Sequence, residues 1–95
     1  MLIHLVCFKY KTDTDEAARR DHRERLQTLA TIDGVLDLKV GSDVVGSARS
    51  YDTGLAVTFR DRAALDAYQA HARHVPVAQL GASMSQHVVA VDFLV

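Results

Sequence analysis

The first and last strands predicted for this chain are apolar on both faces. The run LIHLVCFKY, residues 2–10, is rich in β-forming residues, and so is HVVAVDFLV, residues 87–95. Successive strand residues point to opposite faces, and in the first run both alternating sets are apolar: Leu2, Val6 and Phe8 on one face, Ile3, Leu5 and Cys7 on the other. An antiparallel sheet with one solvated face needs apolar residues on only one side. The two runs therefore predict a sheet that is covered on both faces.

The segment between these strands predicts two helices and two further strands. Residues 12–31 contain helix formers behind Asp13 and Glu16, which have the spacing of a capping box. Alternating residues predict strands over 35–41 and 54–60, and Asp61 is a suitable N-cap for a helix over 62–72. The order strand, helix, strand, strand, helix, strand is that of the ferredoxin-like α+β folds. We therefore expect a single domain over residues 1–95, with a four-stranded antiparallel sheet.

This fold leaves one face of the sheet without a cover. The two helices cover a single face, and the chain has no third helix of comparable size, although Pro76 could open a short one. A second copy of the sheet is the simplest cover for the other face. The sequence thus predicts a homodimer with two sheets face to face.

Composition and charge argue against several functional classes of protein. The 11 basic and 12 acidic residues give a formal charge of −1, which argues against a nucleic-acid-binding face. No apolar stretch reaches the length of a membrane span, and the N-terminus lacks the order of a signal peptide. Cys7 is the only cysteine, so it cannot form an internal disulfide, and a cytoplasmic location is expected.

Several polar rings are predicted to converge between the sheet and the helices. His4 alternates with Val6 and Phe8, and His22 and Tyr68 fall on the apolar stripes of the two helices. Each ring taken alone is commonly a hydrogen-bonded core residue, but a core does not need so many titratable groups, because each one must find a partner. We therefore predict a small-molecule pocket that also includes His71 or His74. Its apolar walls are expected to be Val6, Phe8, Leu26, Leu55 and Val57.

No metal or cofactor is predicted. His71 and His74 are three residues apart, a spacing that permits joint ligation, but no cysteine or carboxylate lies at matching spacing and HExxH is absent. The chain also lacks a GxGxxG or phosphate loop and a serine-nucleophile motif. The expected chemistry is therefore that of the rings themselves.

The sequence resembles one known family. The segments MLIHLVCFKYK, GVLDLKVG, ARSYDTGLAVTFRDRAALDAYQAHARH and VVAVDFLV look like the stress-responsive A/B barrel (Dabb) domain over essentially the whole chain. The resemblance implies a dimeric α+β barrel. It extends to the olivetolic acid cyclase type of member, in which a tyrosine and two histidines act in the pocket. Tyr68, His74 and His4 stand at the matching positions, whereas Ala72 replaces the family's common proline.

The resemblance implies acid–base chemistry without a cofactor. His74 would remove a proton from a carbon next to a carbonyl, Tyr68 would donate to the oxygen on which charge develops, and His4 would assist. His22, His71 and the apolar walls would contact the substrate. The hypothesis is a polyketide cyclase or lyase acting on a carbonyl metabolite. The alternative is a non-catalytic stress-response or ligand-binding dimer whose rings merely line a pocket.

Overall fold

A computed structural model describes residues 1–95 and has the predicted ferredoxin-like α+β fold. The strands are antiparallel and lie in the order β2-β3-β1-β4. The elements, in chain order, are β1 Leu2–Tyr10, α1 Glu16–Thr28, β2 Asp37–Ser42, β3 Thr53–Phe59, α2 Arg62–Gln69, α3 His74–Met84 and β4 Ser85–Leu94. A short 3₁₀ turn, Leu29–Thr31, follows α1 directly.

Two helix boundaries differ from expectation. The cap of α1 is Asp15, whose side chain accepts from the backbone N–H of Ala18, so Asp13 lies outside the helix. α2 ends at Gln69, three residues earlier than its pattern suggested, although Asp61 is its N-cap as predicted. A third helix of 11 residues then begins at His74. His71 and His74 are therefore not on one continuous helix.

The alternation of β1 decides which side chains reach the core. Its buried residues are His4 and four neighbours on the same face, and the intervening residues are only partly buried. The buried face packs under the helices against Leu26, Leu29 and the inward side chains of β3. Since His4 shares that face, its imidazole lies in the layer between sheet and helices.

The opposite face of the sheet is apolar and has no cover within the chain. β4 is exposed along most of its length, with Val89, Val91 and Phe93 exposed by 48%, 55% and 39%. These residues pair with Cys7, Leu5 and Ile3 of β1. α3 does not cover this face, because it packs over the other one beside α1 and contacts the inward side of the sheet. The extra helix thus leaves the two-sided apolar pattern of β1 and β4 unexplained within one chain.

Candidate functional site

A cavity of about 240 Å³ lies between the sheet and the helices. It is largely apolar, and its polar lining consists of His4, His74 and Gln69. The apolar lining comes from all layers around it: Val6, Phe8, Leu26, Leu29, Leu55, Val77, Ala78, Ala82, Val88 and Ala90. A mostly apolar cavity with a few convergent polar groups is typical of a small-molecule site.

His74 has the geometry of a neutral base. It opens α3, and its ring Nδ1 lies 3.1 Å from the backbone carbonyl of Gln69 at the end of α2. A carbonyl only accepts, so Nδ1 carries the hydrogen and Nε2 keeps its lone pair. Burial lowers the pKa of His74, and the nearby charges of His4 and His71 lower it further, whereas the Gln69 hydrogen bond acts in the opposite direction. The ring is therefore neutral near pH 7.

His4 is held by a carboxylate from the neighbouring strand. The β1–β4 register pairs His4 with Asp92, and His4 Nδ1 is hydrogen-bonded to Asp92 Oδ1. His4 is 5% exposed, so the carboxylate fixes the orientation of a buried ring. An ionised carboxylate only accepts, which places the ring hydrogen on Nδ1 and leaves Nε2 without a protein partner.

Tyr68 packs against both histidines but lies behind the cavity surface. Its ring centroid is 4.5 Å from that of His74 and 6.1 Å from that of His4. The side chain is fully buried, and its hydroxyl has no hydrogen-bond partner. Burial raises the pKa of Tyr68 to about 12, so the phenol stays protonated and can donate a hydrogen bond at neutral pH.

His22 lies outside the cavity, behind the ring of Phe8. The two rings meet edge-to-face with centroids 4.8 Å apart. His22 Nδ1 is 2.6 Å from the Tyr10 hydroxyl, which donates to Thr53 Oγ1 at 2.9 Å. Because His22 is fully buried and held by Tyr10, it does not meet the cavity contents as the sequence suggested.

Two other residues that were predicted to contact the substrate also lie away from the cavity. Val57 is fully buried in the core of the sheet. His71 is in the turn between α2 and α3, where its ring accepts from the backbone N–H of Arg73 at 3.0 Å. The structure places Val6, Phe8, Leu26 and Leu55 on the cavity wall, together with His4 and His74.

Sequence reasoning missed three partners of these rings. Asp92 orients His4, the carbonyl of Gln69 orients His74, and Tyr10 holds His22. Asp92 had a detectable signal, since it is the only charged residue of the apolar run 87–95. Backbone carbonyls leave no such trace, and Tyr10 looked like the end of an ordinary strand.

No group of three or more histidine, cysteine, aspartate or glutamate side chains is arranged to hold a metal ion. None of the helices is both long and apolar enough to cross a membrane.

The fold and the cavity define a ferredoxin-like α+β domain with a ring-lined pocket between its sheet and its helices. The chain belongs to the stress-responsive A/B barrel domain family, whose model matches residues 2–95. No curated protein sequence matches the chain.

Solved structures share this fold at low sequence identity. A dimeric ferredoxin-like protein of unknown function from Thermobifida fusca is 23% identical, with a TM-score of 0.90, over 99% of this chain and 90% of that one. A similar dimeric protein from Jannaschia is 26% identical, with a TM-score of 0.84, over 99% and 98% of the two chains. Hydroxynitrile lyase from Passiflora edulis is 15% identical, with a TM-score of 0.89, over 99% and 92%.

Proposed function

We propose that this protein is a cytoplasmic homodimer that binds a small carbonyl compound and acts on it by cofactor-free acid–base chemistry. The observation that carries the proposal is His74, an imidazole that lines an apolar cavity and whose Nδ1 is hydrogen-bonded to the Gln69 carbonyl, which leaves Nε2 without a protein partner. A neutral imidazole is a suitable base near neutral pH, and burial keeps His74 in that form.

The proposed reaction begins with proton transfer from carbon. His74 Nε2 takes a proton from the carbon next to the carbonyl, which leaves an enolate and an imidazolium. The enolate oxygen needs a donor. Tyr68 is the proposed donor, since its hydroxyl is protonated and lacks a partner and its ring packs against that of His74. The His4–Asp92 pair is the proposed second polar group at the carbonyl.

The later steps depend on the substrate. In a cyclase, the enolate carbon attacks a second carbonyl and the new alkoxide takes the proton back. A lyase reaction would start differently: His74 takes the proton of a hydroxyl group, the adjacent carbon–carbon bond breaks as the carbonyl forms, and the leaving carbanion takes the proton back from the His74 imidazolium. The fold shared with a hydroxynitrile lyase supports the second type. The resemblance to polyketide cyclases supports the first.

The size of the cavity limits the substrate. A protein cavity of about 150 Å³ accommodates benzene, so 240 Å³ suits one aromatic ring with a few substituents. The proposed substrates are therefore compact aryl or short-chain carbonyl compounds, which contact Val6, Phe8, Leu26 and Leu55.

The homodimer is proposed to form through the open face of the sheet. The side chains of β1 and β4 on this face are apolar and lack a cover in the monomer. Several solved structures with this fold are described as dimeric. Sedimentation equilibrium at micromolar concentration should give a mass of twice 10.5 kDa. A stable monomer would contradict the proposal.

One observation favours a non-catalytic alternative. The Tyr68 hydroxyl does not reach the cavity surface, so the ring could serve only as packing behind His74. In that case the protein is a ligand-binding dimer, and its cavity binds carbonyl compounds without turning them over.

The two functions are separated by hydrogen–deuterium exchange. A panel of small aryl ketones and aldehydes is incubated in D₂O with the protein, and NMR follows deuterium entry next to the carbonyl. The wild type should accelerate exchange, and His74→Gln and Tyr68→Phe should each remove most of the acceleration. A matched control is His87→Gln, a histidine exposed on β4. Binding without accelerated exchange would support the non-catalytic alternative.

A further inference from the structure

The turn before His74 contains none of the residue types that usually specify a turn conformation. The four residues between α2 and α3 are Ala70, His71, Ala72 and Arg73, without glycine or proline. Because no proline restricts the main chain of this turn, hydrogen bonds are the observed contacts that define its path. That path determines where the ring of His74 points.

His71 supplies the acceptors that begin α3. Its backbone carbonyl accepts from the N–H groups of His74 at 2.9 Å and Val75 at 3.2 Å. Its ring Nδ1 accepts from the N–H of Arg73 at 3.0 Å. Arg73, at the N-cap position, makes no side-chain cap bond. The N–H groups at the start of α3 are thus satisfied by acceptors in the preceding turn.

The Arg73 side chain joins this turn to α1. Its Nη2 donates to the backbone carbonyl of Thr28 at 2.7 Å and to Thr31 Oγ1 at 2.7 Å. Thr28 ends α1, and the helix dipole favours a cation at this end of the helix. These bonds connect residues more than forty positions apart and tether the α2–α3 turn to the end of α1.

We propose that Arg73 is a positioning residue for His74. By holding the turn against the end of α1, Arg73 keeps His74 Nδ1 at the Gln69 carbonyl and Nε2 available to the cavity. Its guanidinium is engaged with α1, so its influence on His74 is geometric rather than a direct contact with substrate. The consequence for catalysis rests on the proposed role of His74 as the base, but the effect on the ring does not.

The experiment measures the tautomer of His74 directly. The full-length protein is labelled with ¹⁵N-histidine, and long-range ¹H–¹⁵N spectra are recorded near pH 8, roughly 1.5 pH units above the reference pKa of histidine. The His74 signals are assigned by their loss in His74→Gln. In the wild type, Nδ1 should have the shift of a protonated nitrogen and Nε2 that of an unprotonated one.

Arg73→Met should move the two His74 shifts toward each other, because the freed turn lets both tautomers form. Arg73→Lys keeps one charged donor and should restore part of the wild-type difference. Thr31→Val removes one acceptor while Arg73 remains, so it should give a smaller change in the same direction. The matched control is Arg25→Met, which removes an exposed arginine of α1 paired with Asp21.

Unchanged His74 shifts in Arg73→Met overturn the proposal, and so does an equal change in Arg25→Met. The base role of His74 is judged separately. If His74→Gln leaves deuterium exchange unaltered, the proposed function fails, but the tautomer spectra still decide the role of Arg73. If both hold, Arg73→Met should also slow exchange by roughly tenfold to a hundredfold, the scale of a misplaced catalytic group.

Discussion

His22 makes the stability of this protein sensitive to acid. Its ring is fully buried beneath α3, and burial lowers its pKa from 6.5 to about 4, with a smaller contribution from the charge of Arg23. Asp21 acts in the opposite direction without cancelling the effect. Folding therefore keeps His22 neutral at pH values where the unfolded chain would protonate it.

The sign and size of the effect follow from linkage. Above pH 6.5, neither state binds the proton, and the contribution of His22 does not vary with pH. Between pH 6.5 and about 4, the unfolded state binds it and the folded state does not, so the free energy of unfolding falls. At about 1.4 kcal/mol for each pH unit, the full loss is about 3 kcal/mol. Below about pH 4, both states bind the proton and the loss is complete.

Urea unfolding at a series of pH values measures this loss. The series runs from about pH 7.5, above the reference pKa of histidine, down to about pH 4. The protein concentration is held constant because association also affects stability. The glutamine in His22→Gln cannot titrate. Over this pH range, the free energy of unfolding of the variant should therefore fall by about 3 kcal/mol less than that of the wild type. Other titrating groups, including His74, act in both proteins and cancel in the difference. The control His87→Gln removes an exposed histidine and should follow the wild type. Parallel curves for the wild type and His22→Gln would refute the reasoning.

Three further changes test the packing, the site and the interface. Gly81→Ala should destabilise the fold by about 1–3 kcal/mol in urea unfolding, because the added Cβ would lie 2.9 Å from His22 Nε2. Asp92→Asn should slow deuterium exchange by roughly tenfold or more, since His4 loses the carboxylate that orients its ring. Val91→Lys should convert the proposed dimer to monomer in sedimentation, because it places a charge on the open apolar face.

Each of these changes has its own control and its own contrary result. Gln79→Ala alters an exposed position of the same helix and should leave stability nearly unchanged, whereas an equally stable Gly81→Ala would show that α3 can shift at no cost. Asp37→Asn removes an exposed carboxylate far from the cavity, so exchange slowed equally in both variants would argue against orientation of His4. A Val91→Lys protein that stays dimeric would place the interface elsewhere.

The helix boundaries show where local pattern ceases to be informative. The apolar stripe that includes Leu65 and Tyr68 predicted α2 correctly, but it continued to residue 72, whereas the helix ends at Gln69. Beyond this end, Arg73 bonds to the C-terminus of α1. Such a bond joins distant parts of the chain, so no window of sequence around residue 70 contains it.

The buried histidines also show what periodicity predicts and what it does not. Alternation in β1 places His4 among Val6 and Phe8, and this burial is confirmed. The same kind of stripe argument placed His22 in the pocket, yet the ring is turned toward Tyr10 and lies behind Phe8. Periodicity predicts the face of an element on which a side chain lies. It does not predict which neighbour that side chain will bond.

The sequence by itself determined the ferredoxin-like order of elements and the two apolar faces of β1 and β4, because both follow from side-chain periodicity within single elements. Only the tertiary structure decided that Asp92 holds His4 and that the Gln69 carbonyl holds His74. The first pair depends on the β1–β4 register across 88 residues, and the second depends on the path of a turn held by α1. Both are long-range contacts, whose geometry is set only when the layers pack together.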